Sequence, residues 1–389
     1  MTGKHWTTQD LLGKLIAYPT VSADPNLALI TFCAELLETA GAQVTILRDT
    51  TGNKANLYAT IGPTDRAGVL LSGHTDVVPV AGQDWSLPPF EMTQQNGKLY
   101  GRGTCDMKGF VASALVCALK AASLDLKTPL HIALSYDEEI GCVGVRSLID
   151  MLAAAPFVPQ FCIVGEPTSM RVATGHKGKT AARVTAKGHA AHSALAPTGL
   201  NAIHMACDMI AFLRDLQEDL RISGLRDDDY DVPYSTVHVG TINGGTALNI
   251  VPDQAAFMFE IRNLADDDPS QILARLEAYR TRYLADLKTR FFNADITIDI
   301  TNSYPSLATD PDSDVVGLVQ SLAQTNHTIK VAFGTEGGLF SDRLGVPTVI
   351  CGPGSMDQGH KLDEYIELSQ LAACDAMMDA LLDRLVAGD

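Results

Sequence analysis

The chain has 389 residues, too many for one ordinary core and enough for two domains. Hydrophobic residues make up 46% and charged residues 19%, the balance of a soluble globular protein. A net charge of −17 argues against nucleic acid or an anionic membrane as partner, because phosphate would be repelled.

The opening residues MTGKHWTTQD lack an apolar h-region, so no secretory signal is expected. No unbroken apolar run approaches the length of a membrane span. A helix pattern follows at Asn26–Ala40 and stops at Gly41, a C-cap residue. Short apolar runs at Gln43–Leu47, Leu57–Ile61 and Val69–Ser72 read as strands, and Gly109–Ala122 reads as a helix. The run Leu130–Leu134, a helix pattern at Val143–Ala154 and the run Phe161–Val164 continue the alternation. Such alternation predicts an α/β sheet covered by helices.

From about Gly178 the pattern changes. An alternating strand TAARVTAKG, a helix over Asn201–Leu220, strands STVHVGTI and AAFMFEIR, a helix over Pro269–Leu287 and a strand ADITIDIT follow one another. That order is the order of a ferredoxin-like unit. The α/β style returns at PTVICGPG. The expected organisation is therefore a discontinuous catalytic domain, residues 1–177 and 303–389, interrupted by a small α+β domain at 178–302. The eight cysteines are scattered, with no Cys-X-X-Cys pair. They read as buried, reduced thiols of a cytoplasmic protein.

Four polar clusters follow directly on buried-strand patterns. They are LLSGHTD with His74 and Asp76, IALSYDEE with Glu138 and Glu139, CIVGEP with Glu166, and VICGPGSMDQGH with His360. A fifth, GRGTCDMKG with Asp106, opens a helix. Each alone has a bland explanation as a cap, a turn or a solvated strand end. Together they fit one place, because open α/β sheets bind ligands beyond the carboxyl ends of their strands. The helix start at Lys108–Gly109 adds a positive partial charge there.

Imidazole with carboxylate is a zinc, cobalt or manganese ligand set. Two histidines and three carboxylates exceed the needs of one catalytic zinc but suit two ions sharing a bridging carboxylate. Asp76 and Glu138 then remain for other work. Asp76 can bond the far nitrogen of His74, and Glu138 can take a proton from water.

The motifs SGHTDVVP, GRGTCDMKG, YDEEIG, GEPT and GPGSMDQGHKLDEYI resemble those of the zinc aminoacylase and carboxypeptidase superfamily, over nearly the whole chain. That superfamily includes acetylornithine deacetylases, succinyl-diaminopimelate desuccinylases and glutamate carboxypeptidases. The resemblance implies a di-zinc exopeptidase-like catalytic domain with an inserted ferredoxin-like lid and dimerisation domain. It implies two Zn²⁺ per chain, with Co²⁺ or Mn²⁺ as substitutes. His74 and Glu166 would hold one ion, Glu139 and His360 the other, and Asp106 would bridge. It implies a cis peptide after Asp106, Glu138 as general base and Asp76 as the partner of His74.

In KGHAAHSA, His192 takes the place of an oxyanion-stabilising residue that often reaches across a homodimer. Asn249 and Arg262 match residues that bind the substrate carboxylate. The loop FGTEGGLF, with Gly334, Thr335 and Glu336, looks like a substrate cradle, and Glu336 would meet a substrate ammonium. This loop and PTVICGPGSMDQGHKLDEYI look most like acetylornithine deacetylases, which implies a small N-acylated amino acid as substrate. The alternatives are another N-acyl-amino-acid deacylase, a desuccinylase or a dipeptidase of the same superfamily.

Overall fold

The computed structural model describes residues 5–388, so part of the N-terminal signal reading lies outside the described residues. The chain forms two compact units. One comprises the chain up to Gly175, Leu307–Val331 and Thr335 onward; the other comprises His176–Ser306 and Ala332–Gly334. The expected boundaries fell at 177/178 and 302/303. The second boundary lies later because the strand Asp295–Tyr304 runs past the alternation of ADITIDIT.

The larger unit is built on a nine-stranded mixed sheet. Its centre is four neighbouring parallel strands, in the order Leu130–Ser135, Val69–His74, Phe161–Val164 and Thr348–Ile350. Every residue of these four strands is buried, which is why they read in sequence as continuous apolar runs. Antiparallel strands Ala55–Ile61 and Gln43–Arg48 extend the sheet on one side.

The helix Lys108–Ala121 is buried along most of its length. Its small residues Ala112, Ser113 and Ala114 suit a helix enclosed by its neighbours. Four helices escaped the sequence reading, Asp314–Ala323 and Gly337–Leu344 among them. Thr8–Ile16 begins at a capping box, in which Asp10 N–H donates to Thr7 Oγ1 and Thr7 N–H to Asp10 Oδ2. Leu368–Ala387 buries Leu371, Cys374, Met378, Leu381 and Leu385, spaced by three or four residues along one face.

The inserted unit is a four-stranded antiparallel sheet in the order Thr236–Gly244, Gln254–Asn263, Gly178–Lys187, Asp295–Tyr304. With the helices Ala202–Ser223 and Pro269–Lys288 this is the ferredoxin-like arrangement. Asn201 starts the first helix by accepting from the Ile203 and His204 amides. The strand Gln254–Asn263 alternates strictly, with Phe257, Phe259 and Ile261 packed into this unit's own core.

Among the described residues no helix is long and apolar enough to cross a membrane. All eight cysteines are free, and only Cys207 is exposed.

Candidate metal centre

Parallel packing brings the acidic and imidazole side chains to one edge. His74 is the last residue of its strand and lies opposite Ser135 in the neighbouring strand. Glu138 and Glu139 follow Ser135, and Glu166 follows Val164. At Gly165 an added Cβ would lie 1.9 Å from the Phe110 ring, so only glycine lets the chain cross this helix before Glu166. Asp106 stands just before the helix Lys108–Ala121, and the Asp106–Met107 peptide is cis.

The side chains converge closely. His74 Nε2 lies 3.0 Å from Asp106 Oδ1 and 3.8 Å from Glu166 Oε1. His360 Nε2 lies 3.1 Å from Asp106 Oδ2 and 2.9 Å from Glu139 Oε2. Asp106 thus turns one oxygen to each imidazole, the placement a bridging ligand requires. Two overlapping groups offer ligand atoms all within 4.8 Å of one another: His74, Asp106 and Glu139, and His74, Glu138 and Glu166. The second group admits Glu138 as a ligand. Pairing by the individual distances instead gives His74 with Glu166 and His360 with Glu139.

The electrostatics are those of a cation site. Burial pushes the Glu138 carboxyl up to about 8; Glu139, Glu336 and Asp76 add repulsion and His74 opposes it. Burial likewise raises Glu139 and Glu166, with the Asp106 charge adding in both. Asp106 goes the other way: burial alone would raise it, but His360 and His74 hold it well below the usual carboxylate range. Hydrogen bonds to Asp106 and Glu139 raise His360 to about 10. Glu139 Oε1 is buried and has no hydrogen-bond partner among the described residues. A buried carboxylate oxygen without a donor, beside two imidazoles and two more carboxylates, fits a divalent ion. Among the described residues neither ligand group includes a cysteine, and burial pushes the nearby Cys105 and Cys142 thiols well up.

Asp76 differs from expectation. His74 Nδ1 bonds the Asp76 backbone carbonyl at 2.9 Å, while the carboxylate stands 3.6 Å away. The carboxylate instead accepts from Glu138 N–H at 3.1 Å, Glu139 N–H at 3.3 Å and the Ser22 hydroxyl at 2.6 Å. Asp76 therefore orients the imidazole through its main chain and fixes the Glu138–Glu139 turn through its side chain. The Cys142 thiol donates to Glu138 Oε1 at 3.2 Å. Neither Ser22 nor Cys142 carries a recognisable signal in the sequence.

Glu336 is corrected as a receptor for a substrate ammonium. It is only 1% exposed, and its carboxylate accepts from Ser135 Oγ at 2.5 Å and Ser72 Oγ at 3.3 Å. It ties together the strands that end in His74 and precede Glu138. Thr335 is also buried, and its Oγ1 accepts from Gly337 N–H at 2.9 Å just ahead of the helix Gly337–Leu344. At Gly334 a Cβ would fall 2.1 Å from the Tyr304 hydroxyl, which reserves the position for glycine.

In the inserted unit, His192 and Asn249 are exposed and adjacent. His192 pairs with Ile250, and Ser193 N–H donates to the Asn249 carbonyl at 3.0 Å. Ala194 N–H donates to His192 Nδ1 at 3.1 Å, so the ring proton of the neutral imidazole sits on Nε2. Arg262, expected from the resemblance to bind the substrate carboxylate, has its guanidinium engaged within the chain. Here Nε and Nη2 are taken by the two Glu260 oxygens, at 3.0 and 3.3 Å, and Nη1 donates to Tyr304. A substrate carboxylate would have to exchange with Glu260.

Residues 70–384 match the model of Peptidase family M20/M25/M40, and the chain belongs to that family. It is a metal-dependent hydrolase. Over 375 residues, 94% of each chain, it is 35% identical to an acetylornithine deacetylase of Myxococcus xanthus. Its fold matches an M20 family metallo-carboxypeptidase of Sulfolobus solfataricus with a TM-score of 0.77 and 19% identity, covering 98% of this chain and 99% of that one. It also matches a Bacillus subtilis protein described as a dinuclear metal-binding peptidase of the M20 family, with a TM-score of 0.65 and 14% identity over 97% of each.

Proposed function

We propose that the protein hydrolyses N²-acetyl-L-ornithine to ornithine and acetate with two zinc ions per chain, a reaction of arginine biosynthesis in the cytoplasm. The observation that carries the metal reading is Asp106, with one oxygen facing His74 and the other His360. The similarity to acetylornithine deacetylases supports the substrate. His74 and Glu166 would hold one ion and Glu139 and His360 the other, with Asp106 shared. When bound, the metal polarises the scissile carbonyl and lowers the pKa of water.

The chain's own residues supply the rest. Glu138, buried beside the candidate ligands, takes the proton of the attacking water and returns it to the leaving amine. Asp76 holds the Glu138 backbone in place for that transfer. His192, with its proton on Nε2, donates to the oxyanion as it develops. Asn249, and Arg262 in exchange with Glu260, would receive the substrate carboxylate. The backbone of Gly334–Glu336 would border the acyl group, and the inserted unit would act as lid.

The test is a substrate panel on purified enzyme. N-acetylornithine is expected to give a higher kcat/KM than N-succinyl-diaminopimelate. A preference for the succinylated substrate, or for a dipeptide, would overturn the substrate assignment. We further propose a homodimer through the inserted unit, with His192 serving the partner's site. Mixing inactive Glu138→Ala protein with inactive His192→Ala protein should then restore part of the activity. No recovery despite demonstrated subunit exchange would place His192 in its own chain's site.

A further inference from the structure

Glu364 has no part in the reaction outlined above, yet its carboxylate is 1% exposed and surrounded by donors. Oε1 accepts from Cys105 N–H at 2.9 Å and Asp106 N–H at 3.1 Å. Oε2 accepts from Gly103 N–H at 3.1 Å and Arg102 Nη1 at 2.7 Å. The Glu364 carbonyl also accepts from Gly101 N–H at 2.9 Å. Closely spaced main-chain amides converging on one anion form a nest, and the guanidinium adds a charge-assisted bond.

Arg102 is as deeply buried and extends the same network. Nη1 donates to the Lys361 carbonyl at 3.2 Å and Nη2 to Gln83 Oε1 at 2.7 Å, with the guanidinium 4.9 Å from the Trp85 ring. Glu364 stands four residues after His360, and the amides it gathers lead directly into Asp106. Hence the segment carrying His360 and the segment carrying Asp106 are joined behind the site. In front of it, their side chains meet at 3.1 Å.

We propose that Glu364, with Arg102, is a positioning residue that sets the spacing of Asp106 and His360 for the ion shared by Asp106, Glu139 and His360. The proposal rests on the metal-centre reading above, but not on the substrate. Ligand atoms must be held to a fraction of an ångström to bind an ion well, and groups behind the ligands provide that. A purely structural alternative exists, because stranding the buried Arg102 would itself destabilise the chain. The test separates the two.

Zn²⁺ affinity is measured by competition with a chromogenic chelator on metal-stripped wild type, Glu364→Gln, and the double variant Arg102→Met with Glu364→Gln. Thermal unfolding is followed on the same stripped samples. Glu364→Gln is expected to weaken one of the two ions by about 10–100-fold and the other less. In the double variant the stranded charge is gone, so the unfolding midpoint should return toward wild type. Its metal affinity should stay low, because the Gly103, Cys105 and Asp106 amides still lack a carboxylate. If Glu364→Gln does not fold, the double variant alone decides on the same criterion. Wild-type affinity in the variants, or affinity that recovers together with stability, would overturn the proposal. A wild type that takes up no Zn²⁺ would overturn the metal centre and this proposal together. Hydrolysis is not read, so a wrong substrate leaves the test intact.

Discussion

Replacing Glu138 by alanine is expected to lower kcat by about 10²–10⁴-fold, the usual worth of a positioned general base. Fold and metal content should survive. The anchor of the turn is the backbone N–H of residue 138 on Asp76 Oδ1, which the substitution keeps, so Glu139 stays in place. Glu139→Ala should differ by also losing metal, because its Oε2 meets His360 and its Oε1 is left for an ion. Steady-state kinetics with metal analysis of each variant distinguishes them. Near-normal turnover in Glu138→Ala would remove that carboxylate from the reaction.

Asp106→Asn should be more damaging still. Its two carboxylate oxygens serve both imidazoles, so one neutral amide takes an anionic ligand from both ions at once. Metal content after gel filtration should fall from two ions toward none, with turnover below that of the Glu138 variant. Glu166→Gln, which touches only the His74 side, should retain one ion. If Asp106→Asn keeps two ions and Glu166→Gln keeps none, the bridging role belongs elsewhere.

The sequence carried the catalytic sheet well, since fully buried parallel strands leave continuous apolar runs and His74, Glu138, Glu139 and Glu166 follow directly on them. The ferredoxin-like order of the inserted unit was legible for a similar reason: Gln254–Asn263 has one buried face and so alternates. The helix Thr8–Ile16 was missed because its signal is only the Thr7–Asp10 box followed by a short apolar stripe. Other side-chain partners were not legible. Asp76 sits two residues from His74, but spacing cannot tell a main-chain carbonyl from a carboxylate as the imidazole's partner. Glu336 lies in a Gly-rich loop that reads as exposed. Its burial depends on Ser72 and Ser135, which come from two distant strands. Arg262 matches a carboxylate-binding residue by resemblance alone, and its partner in the structure, Glu260, is set by strand alternation that places both on one face. Glu364 and Arg102 lie inside recognisable motifs, but only the fold brings the two motifs together.

The most direct test of the account is a metal titration read by turnover. Enzyme stripped with a chelator is returned to activity with increasing Zn²⁺, and hydrolysis of N-acetylornithine is followed against bound metal. The account predicts no hydrolysis in the stripped protein and activity that rises to a plateau at about two ions per chain, as expected for ions sharing a bridging carboxylate. Full activity in protein shown to be free of metal would contradict it.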